Sequence, residues 1–394
     1  METDVGALLR GLIGIDSRNR HISGRAAAES DMVDLLERAA GQFGLVTLRL
    51  PVTGEADDLL VTAPVTVDGP WLLFENHTDT VGVEGMVVPP FEATVTQGRI
   101  HGRGACDAKA SGAAMLVALA THARILAAGG PGVNGALLFT VDEEVARAGI
   151  RRFMDTHSAT LMWQPAAVIS GEPTRLRMVV AHNGVVRVVI RTRGVAAHSS
   201  DPALGRSAIS AMLPIVRALE EDVFPAIAAS HPLTGAAVGS VNVIRGGEQV
   251  NIIPAACEIH VDRRTVPGES GHAVMADLMA LLDRMRSADP TLDVELTEQV
   301  IHGSLDPETN TSWARIVGAT LARLGLDPDG MGVAYGTDAS EFGDVGIPAV
   351  VLGPGDIAQA HAADEWVEVD QLEQAVMVYQ ELLRGPLPPM PGFR

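Results

Sequence analysis

Short continuous apolar runs recur through the first half of the chain: Trp71-Leu72-Leu73-Phe74, Ala136 to Val141 and Ala166 to Ile169. Unbroken runs of that length between helical segments predict buried parallel strands, which are apolar on both faces rather than alternating. Leu45 to Leu50 and Leu59 to Ala63 predict two further strands. Residues 4 to 13 and 25 to 43 instead carry apolar positions three or four apart, among them Ala27, Met32, Leu35, Leu36 and Ala39, and predict surface helices. A loop rich in glycine and proline follows from Val81 to Pro90, and Lys109 to Ala128 predicts a helix with a small-residue start, ended by Gly129-Gly130-Pro131.

The pattern changes near Asn183. Strands are predicted at 185 to 192, 238 to 244, 257 to 264 and 292 to 299, and helices at 206 to 221 and 271 to 286. The order βαββαβ is that of a ferredoxin-like unit. Ala349-Val350-Val351-Leu352 then reads as a return to the first sheet. The expected fold is α/β: a mixed, mostly parallel sheet flanked by helices, with an inserted ferredoxin-like α+β domain. Residues 1–182 and 300–394 form two segments of one domain and residues 183–299 the insert.

Composition narrows the function classes. At 394 residues, 47% hydrophobic and 20% charged, the chain is long enough for two folded cores. A net charge of -20 without a dense basic cluster argues against a nucleic-acid or anionic-membrane partner. No apolar run approaches the roughly 20 residues that span a bilayer, and Met1-Glu2-Thr3-Asp4 places acid where a signal peptide is basic. Two cysteines, Cys106 and Cys257, are too few for a disulfide framework, so a cytoplasmic location is expected.

The chemistry lies where the apolar runs stop. Ligands of open α/β sheets bind at the carboxyl ends of the strands. There the chain has His77 and Asp79, the pair Glu143-Glu144, and Glu172. Spacing i, i+2 lets His77 face a metal while Asp79 accepts from its other ring nitrogen. Of two adjacent acids, one can bind metal while the other reaches a water as general base. Asp107 precedes a helix start, where negative charge is favoured. Taken singly, each has a plainer explanation: a hydrogen-bonded strand-end histidine, a solvated loop, a turn acid for Glu172, a packed histidine for His361.

Together, and in this order, they resemble the dinuclear-zinc amidohydrolase and metallopeptidase family of acetylornithine deacetylase, succinyl-diaminopimelate desuccinylase, aminoacylase and glutamate carboxypeptidase. The resemblance runs from about Leu8 to Leu383. Its most specific stretches are His77-Thr78-Asp79-Thr80-Val81, Gly102 to Lys109, Asp142-Glu143-Glu144 and Ser170-Gly171-Glu172-Pro173-Thr174. It implies a zinc-exopeptidase-like domain with two divalent metal ions, most simply zinc, with cobalt or manganese as alternatives. Asp107 would bridge them, His77 and Glu172 completing one site and Glu144 and His361 the other. Glu143 would be the general base and Asp79 would orient His77.

Further roles are implied in the same way. His198, in Gly194 to Ser200, matches a histidine that donates to the substrate carbonyl oxygen, often from a partner subunit. Asn251 and Arg264 match positions that grip a substrate carboxylate, and Thr337 in Gly336-Thr337-Asp338 matches a substrate loop. Neighbouring Arg263 reads as a surface residue, and Cys106 as a bystander. One departure stands out: Ala108-Lys109-Ala110-Ser111 replaces the common Met-Lys-Gly-Gly, which bears on helix packing alone. The implied activity is metal-dependent hydrolysis of the amide bond of an N-acyl amino acid or small peptide with a free carboxylate, by a homodimer joined through the insert. Alternatives are a carboxypeptidase or dipeptidase of the same family and a non-catalytic binder of amino-acid derivatives.

Overall fold

A computed structural model describes residues 4–26, 28–64 and 69–389; Ala27 of the second predicted helix lies outside the described residues. The chain divides into two compact units. One runs to Val180 and resumes over Pro307–Met331 and from Thr337 onward, and the other comprises Ala181–Asp306 with Gly332–Gly336.

Among the described residues one sheet has eight strands in the order Val46–Leu50, Asp58–Thr62, Asn134–Thr140, Trp71–His77, Pro165–Ser170, Ala349–Val351, Val179–His182 and Met331–Val333, the first six of them wholly in the first unit. The strands from Asn134–Thr140 to Ala349–Val351 run parallel. Antiparallel strands flank them. The strands Trp71–His77, Asn134–Thr140 and Pro165–Ser170 are buried along their whole length, which explains the unbroken apolar runs. The helix Lys109–Ala127 packs on the sheet, and Phe74, Leu137, Phe139 and Ile169 join Leu116, Leu119, Trp313 and Tyr379 in one core. By length and composition this helix could cross a membrane, but 78% of its most apolar window is buried inside the fold. Ala/Gly content is what lets it lie so close: Gly112 faces Asn76 and Phe139 with no room for a side chain.

Helices Pro307–Arg323 and Val369–Arg384, the strands Val179–His182 and Met331–Val333, and the short hairpin Thr94–Thr96 with Arg99–His101 were not among the predicted elements. The two helices nevertheless carry Trp313 and Tyr379, the largest fully buried side chains among the described residues.

The second unit has the predicted βαββαβ order: strand Gly184–Arg193, helix Ala208–Arg217, strands Val238–Gly246 and Ala256–Thr265, helix Gly271–Ala288 and strand Asp293–His302. Its main sheet is antiparallel throughout. The edge strand Asp293–His302 pairs with Gly184–Arg193, then Ala256–Thr265, then Val238–Gly246. Ser207 and Ser270 cap the two helices, their hydroxyl oxygens accepting from Ser210 N and Ala273 N. Val186, Val188, Ile190, Met212, Ile215, Ile259, Leu278 and Leu282 form its own core. The last strand runs on to His302, beyond the anticipated bound at 299, because Gln299 to His302 stay in register with Val185 to Val188.

Candidate metal centre and active site

Three adjacent parallel strands end at one place. His77 closes the strand Trp71–His77, Glu143 and Glu144 follow Asn134–Thr140, and Glu172 follows Pro165–Ser170. Asp107 stands just before the helix Lys109–Ala127, and His361 comes from a loop after the last core strand. These six residues belong to one unit.

Asp107 joins two triples. Its Oδ1 lies 3.1 Å from His77 Nε2, which is 3.9 Å from Glu172 Oε1. Its Oδ2 lies 3.3 Å from His361 Nε2, which is 3.2 Å from Glu144 Oε2. Within each triple, His77-Asp107-Glu172 and Asp107-Glu144-His361, one nitrogen and two carboxylate oxygens fall within 4.8 Å of one another.

The electrostatics call for cations. His77 Nδ1 donates to the backbone carbonyl of Asp79 at 3.0 Å, so a neutral ring turns its Nε2 lone pair toward the Asp107 carboxylate. That arrangement is stable only with a proton or a metal ion between them. Burial opposes charging His77, but hydrogen bonds to Asp107 and Asp79 prevail and hold it well above the usual histidine range. Hydrogen bonds to Asp107 and Glu144 raise His361 to about 10. Even with both rings charged, two cations face three buried carboxylates. Burial and then the Asp107 charge push Glu172 well up and Glu144 to about 7. Nitrogen and oxygen donors in this number suit two divalent ions that share Asp107.

Asp79 lies against His77 Nδ1, where the orienting role places it, and it holds a second group of partners as well. Its Oδ1 is 3.5 Å from His77 Nδ1, which its own backbone carbonyl already satisfies. Its carboxylate also accepts from Glu143 N at 3.0 Å, Glu144 N at 3.1 Å and Asn19 Nδ2 at 2.8 Å. It therefore fixes the turn that carries both glutamates. Asn19 Nδ2 also reaches Asp142 Oδ1 at 2.7 Å, and Glu29 accepts from Asp142 N at 2.8 Å.

Asp107 has a brace of its own. The fully buried Glu365 accepts from Asp107 N, Cys106 N and Gly104 N at 2.8 to 3.0 Å and pairs with Arg103 Nη1 at 2.6 Å. Sequence reading missed Glu365, Asn19, Glu29 and Arg147. Only Glu365 had a signal, an acid four residues after His361. Arg147 ion-pairs with Glu143 at 3.1 Å. Thr337 is fully buried, and its hydroxyl accepts from Ala339 N. The substrate contact expected of it is corrected: it organises the start of the helix Ala339–Asp344. The departure at Ser111 is absorbed by Gly171, where a Cβ would lie 2.8 Å from that of Ser111.

In the second unit, His198 and Asn251 are neighbours. Ser199 N donates to Asn251 O at 3.0 Å, and His198 pairs with Ile252. Ser200 N donates to His198 Nδ1 at 3.1 Å, so the neutral ring carries its proton on exposed Nε2, a ready hydrogen-bond donor. Arg264 is half-buried and paired with Asp262 at 2.7 Å. Arg263 is not the surface residue anticipated. Alternation along Ala256–Thr265 turns it inward, 6% exposed, where it meets Glu269 at 2.7 Å.

The sequence matches peptidase family M20/M25/M40 over residues 73–385. It is 30% identical over 331 residues to a probable carboxypeptidase of Paracoccidioides brasiliensis (strain Pb03), covering 80% of this chain and 70% of that one. An acetylornithine deacetylase of Myxococcus xanthus is 30% identical over 309 residues, 76% of each chain. The fold matches that of a dinuclear metal-binding M20-family peptidase of Bacillus subtilis, with a TM-score of 0.68, 16% identity and 96% of each chain covered.

Proposed function

The chain belongs to peptidase family M20/M25/M40, and from that premise we propose that it hydrolyses the amide bond of an N-acyl amino acid or small peptide bearing a free carboxylate. The observation that carries this reading is the pair of His-Asp-Glu triples sharing Asp107, with Glu143 next to the ligand Glu144 in the chain. His77, Asp107 and Glu172 would hold one divalent ion and Asp107, Glu144 and His361 the other, zinc being favoured by these donors over cobalt or manganese. Bound there, the ions supply Lewis acidity toward the scissile carbonyl and lower the pKa of water.

The chain's own groups do the rest. Asp79 holds the turn so that Glu144 serves as a ligand while Glu143, outside both triples, handles protons. Glu143 takes a proton from the attacking water as its oxygen bonds to the carbonyl carbon. It returns that proton to the nitrogen as the C–N bond breaks, and the new carboxylic acid gives up water's second proton to the departing amine, leaving a carboxylate and an ammonium group. His198 offers its Nε2 proton to the carbonyl oxygen as negative charge develops. Arg264 and Asn251 receive the substrate carboxylate, Arg264 through its planar fork. The enzyme works as a cytoplasmic homodimer joined through the inserted unit. Carboxypeptidase action is the second reading, favoured by the 30% identity to the probable carboxypeptidase.

The test is amine release from N-acetyl, N-succinyl and N-aminoacyl amino acids by metal-stripped protein, with and without zinc, cobalt or manganese. Turnover restored by metal and confined to one acyl class supports the reading and selects the branch. No turnover on any member with two metals bound would overturn it. Glu143→Gln should keep both metals and lose about 10²- to 10⁴-fold in kcat.

A further inference from the structure

Arg147 is a buried cation with three different partners. Its Nη2 is 3.1 Å from Glu143 Oε1, its Nη1 donates to the Thr337 carbonyl at 3.0 Å, and its Nε is 3.5 Å from Asp338 Oδ1. Only 7% of the residue is exposed. Its backbone is equally unusual. Arg147 N closes a turn on the Asp142 carbonyl at 2.6 Å, and both residues have positive φ, 55° at Arg147 and 63° at Asp142. Glycine adopts that conformation freely and a long side chain does so at a cost. An arginine there points to work done by the side chain.

What the guanidinium joins is specific. On one side is the acid that follows the strand Asn134–Thr140, and on the other is the turn opening the helix Ala339–Asp344. Asp338 sits among acids, with Thr140 Oγ1 placed 3.0 Å from Glu75 Oε1 and 3.4 Å from Asp338 Oδ2. Asp338 Oδ1 accepts no hydrogen bond among the described residues. Arg147 is thus the cation that Glu143 and Asp338 share, and it leans toward Glu143.

We propose that Arg147 is a positioning residue that fixes the direction of the Glu143 carboxylate and locks it to the Thr337-Asp338 turn. The inference rests on the general-base reading of Glu143. A glutamate without this clamp swings within the site, and a misplacement of about 1 Å in a reacting group costs on the order of 10²-fold in rate. Lysine cannot replace the clamp, because a single ammonium does not address three partners in fixed directions.

The experiment compares Arg147→Met, Arg147→Lys and Arg147→Ala with wild type, metal-loaded and metal-free. In the loaded enzymes we expect kcat to fall about 10²-fold in all three, with KM and metal stoichiometry held. Millimolar guanidinium should restore part of the activity to Arg147→Ala alone. In the metal-free proteins, hydrogen exchange should rise together over 142–148 and 337–341 in Arg147→Met. Wild-type kcat in Arg147→Met overturns the proposal. So does a lower kcat that Arg147→Lys recovers in step with its melting temperature, since that marks a merely structural cation. If wild type hydrolyses no substrate, the reaction assigned above fails by itself. The clamp is then judged by exchange: a joint rise in both segments retains it, and an unchanged 337–341 segment overturns it.

Discussion

At the scale of single residues, the groups behind the site decide whether it exists. Glu365 uses both oxygens, one for Asp107 N and Cys106 N, the other for Gly104 N and Arg103 Nη1. Glu365→Gln supplies one oxygen where two are needed, turns an NH₂ toward donors and strands the buried Arg103. Breaking a buried pair in this way costs about 3–5 kcal/mol. Urea unfolding should register that loss, and metal titration should register weaker binding as the Asp107 loop relaxes. Unchanged metal affinity in the destabilised variant would confine Glu365 to the fold. Glu29 gives a pH dependence. Burial, then the Asp79 charge, raises it from 4.5 to about 8. The folded chain therefore keeps a proton that the unfolded chain releases, and this residue's contribution to stability falls as pH rises from 4.5 toward 8. The slope is at most about 1.4 kcal/mol per pH unit. Glu29→Gln, which keeps an acceptor for Asp142 N, should flatten it, as chemical unfolding at several pH values will test.

At the scale of elements, close approach between the helix Lys109–Ala127 and the ends of the strands holds the glutamates over Asp107. In Gly171→Ala the new methyl would lie 2.8 Å from Ser111 Cβ and 2.9 Å from Met115 Cε. Met115 can swing away and Ser111 Cβ cannot, so overpacking should cost about 1–3 kcal/mol. Adding Ser111→Gly should recover most of that loss in a double-mutant cycle of melting curves, and strict additivity would show that the strain lies elsewhere. The same contacts show why sequence reading reached the donors but not their supports. Strands buried on both faces announce themselves as unbroken apolar runs, so His77, Glu144 and Glu172 were legible as the residues where those runs end. Glu365 lies 258 residues from Asp107, and Asn19 lies 123 from Asp142. Such partners follow from packing, which no local pattern encodes. Arg263 misled for a related reason. Its charge suggested solvent, but strand alternation with Glu269 as partner set its direction. The strand Val179–His182 is only four residues long and runs directly into the insert, so its apolar run had no boundary to mark it.

At the scale of the whole molecule, all six centre residues belong to one unit although the insert divides that unit's sequence. The insert begins and ends at one point. His182 N donates to Leu305 O at 3.3 Å and Leu305 N to His182 O at 3.1 Å. Joining residues 182 and 305 through a few glycines and serines thus closes a gap that is already closed, and loop-closure entropy varies slowly with length. Val179 keeps its sheet partner Val351 in such a chain. The shortened protein should unfold cooperatively and bind two metal ions per chain by elemental analysis, while releasing no amine from substrates the full chain cleaves, because His198, Asn251 and Arg264 leave with the insert. Amine release at the full-length rate would remove those three from the reaction and leave catalysis to Glu143 and the metal ligands. A folded but metal-free product would mean that the centre, complete in its donors within one unit, draws its affinity from the insert.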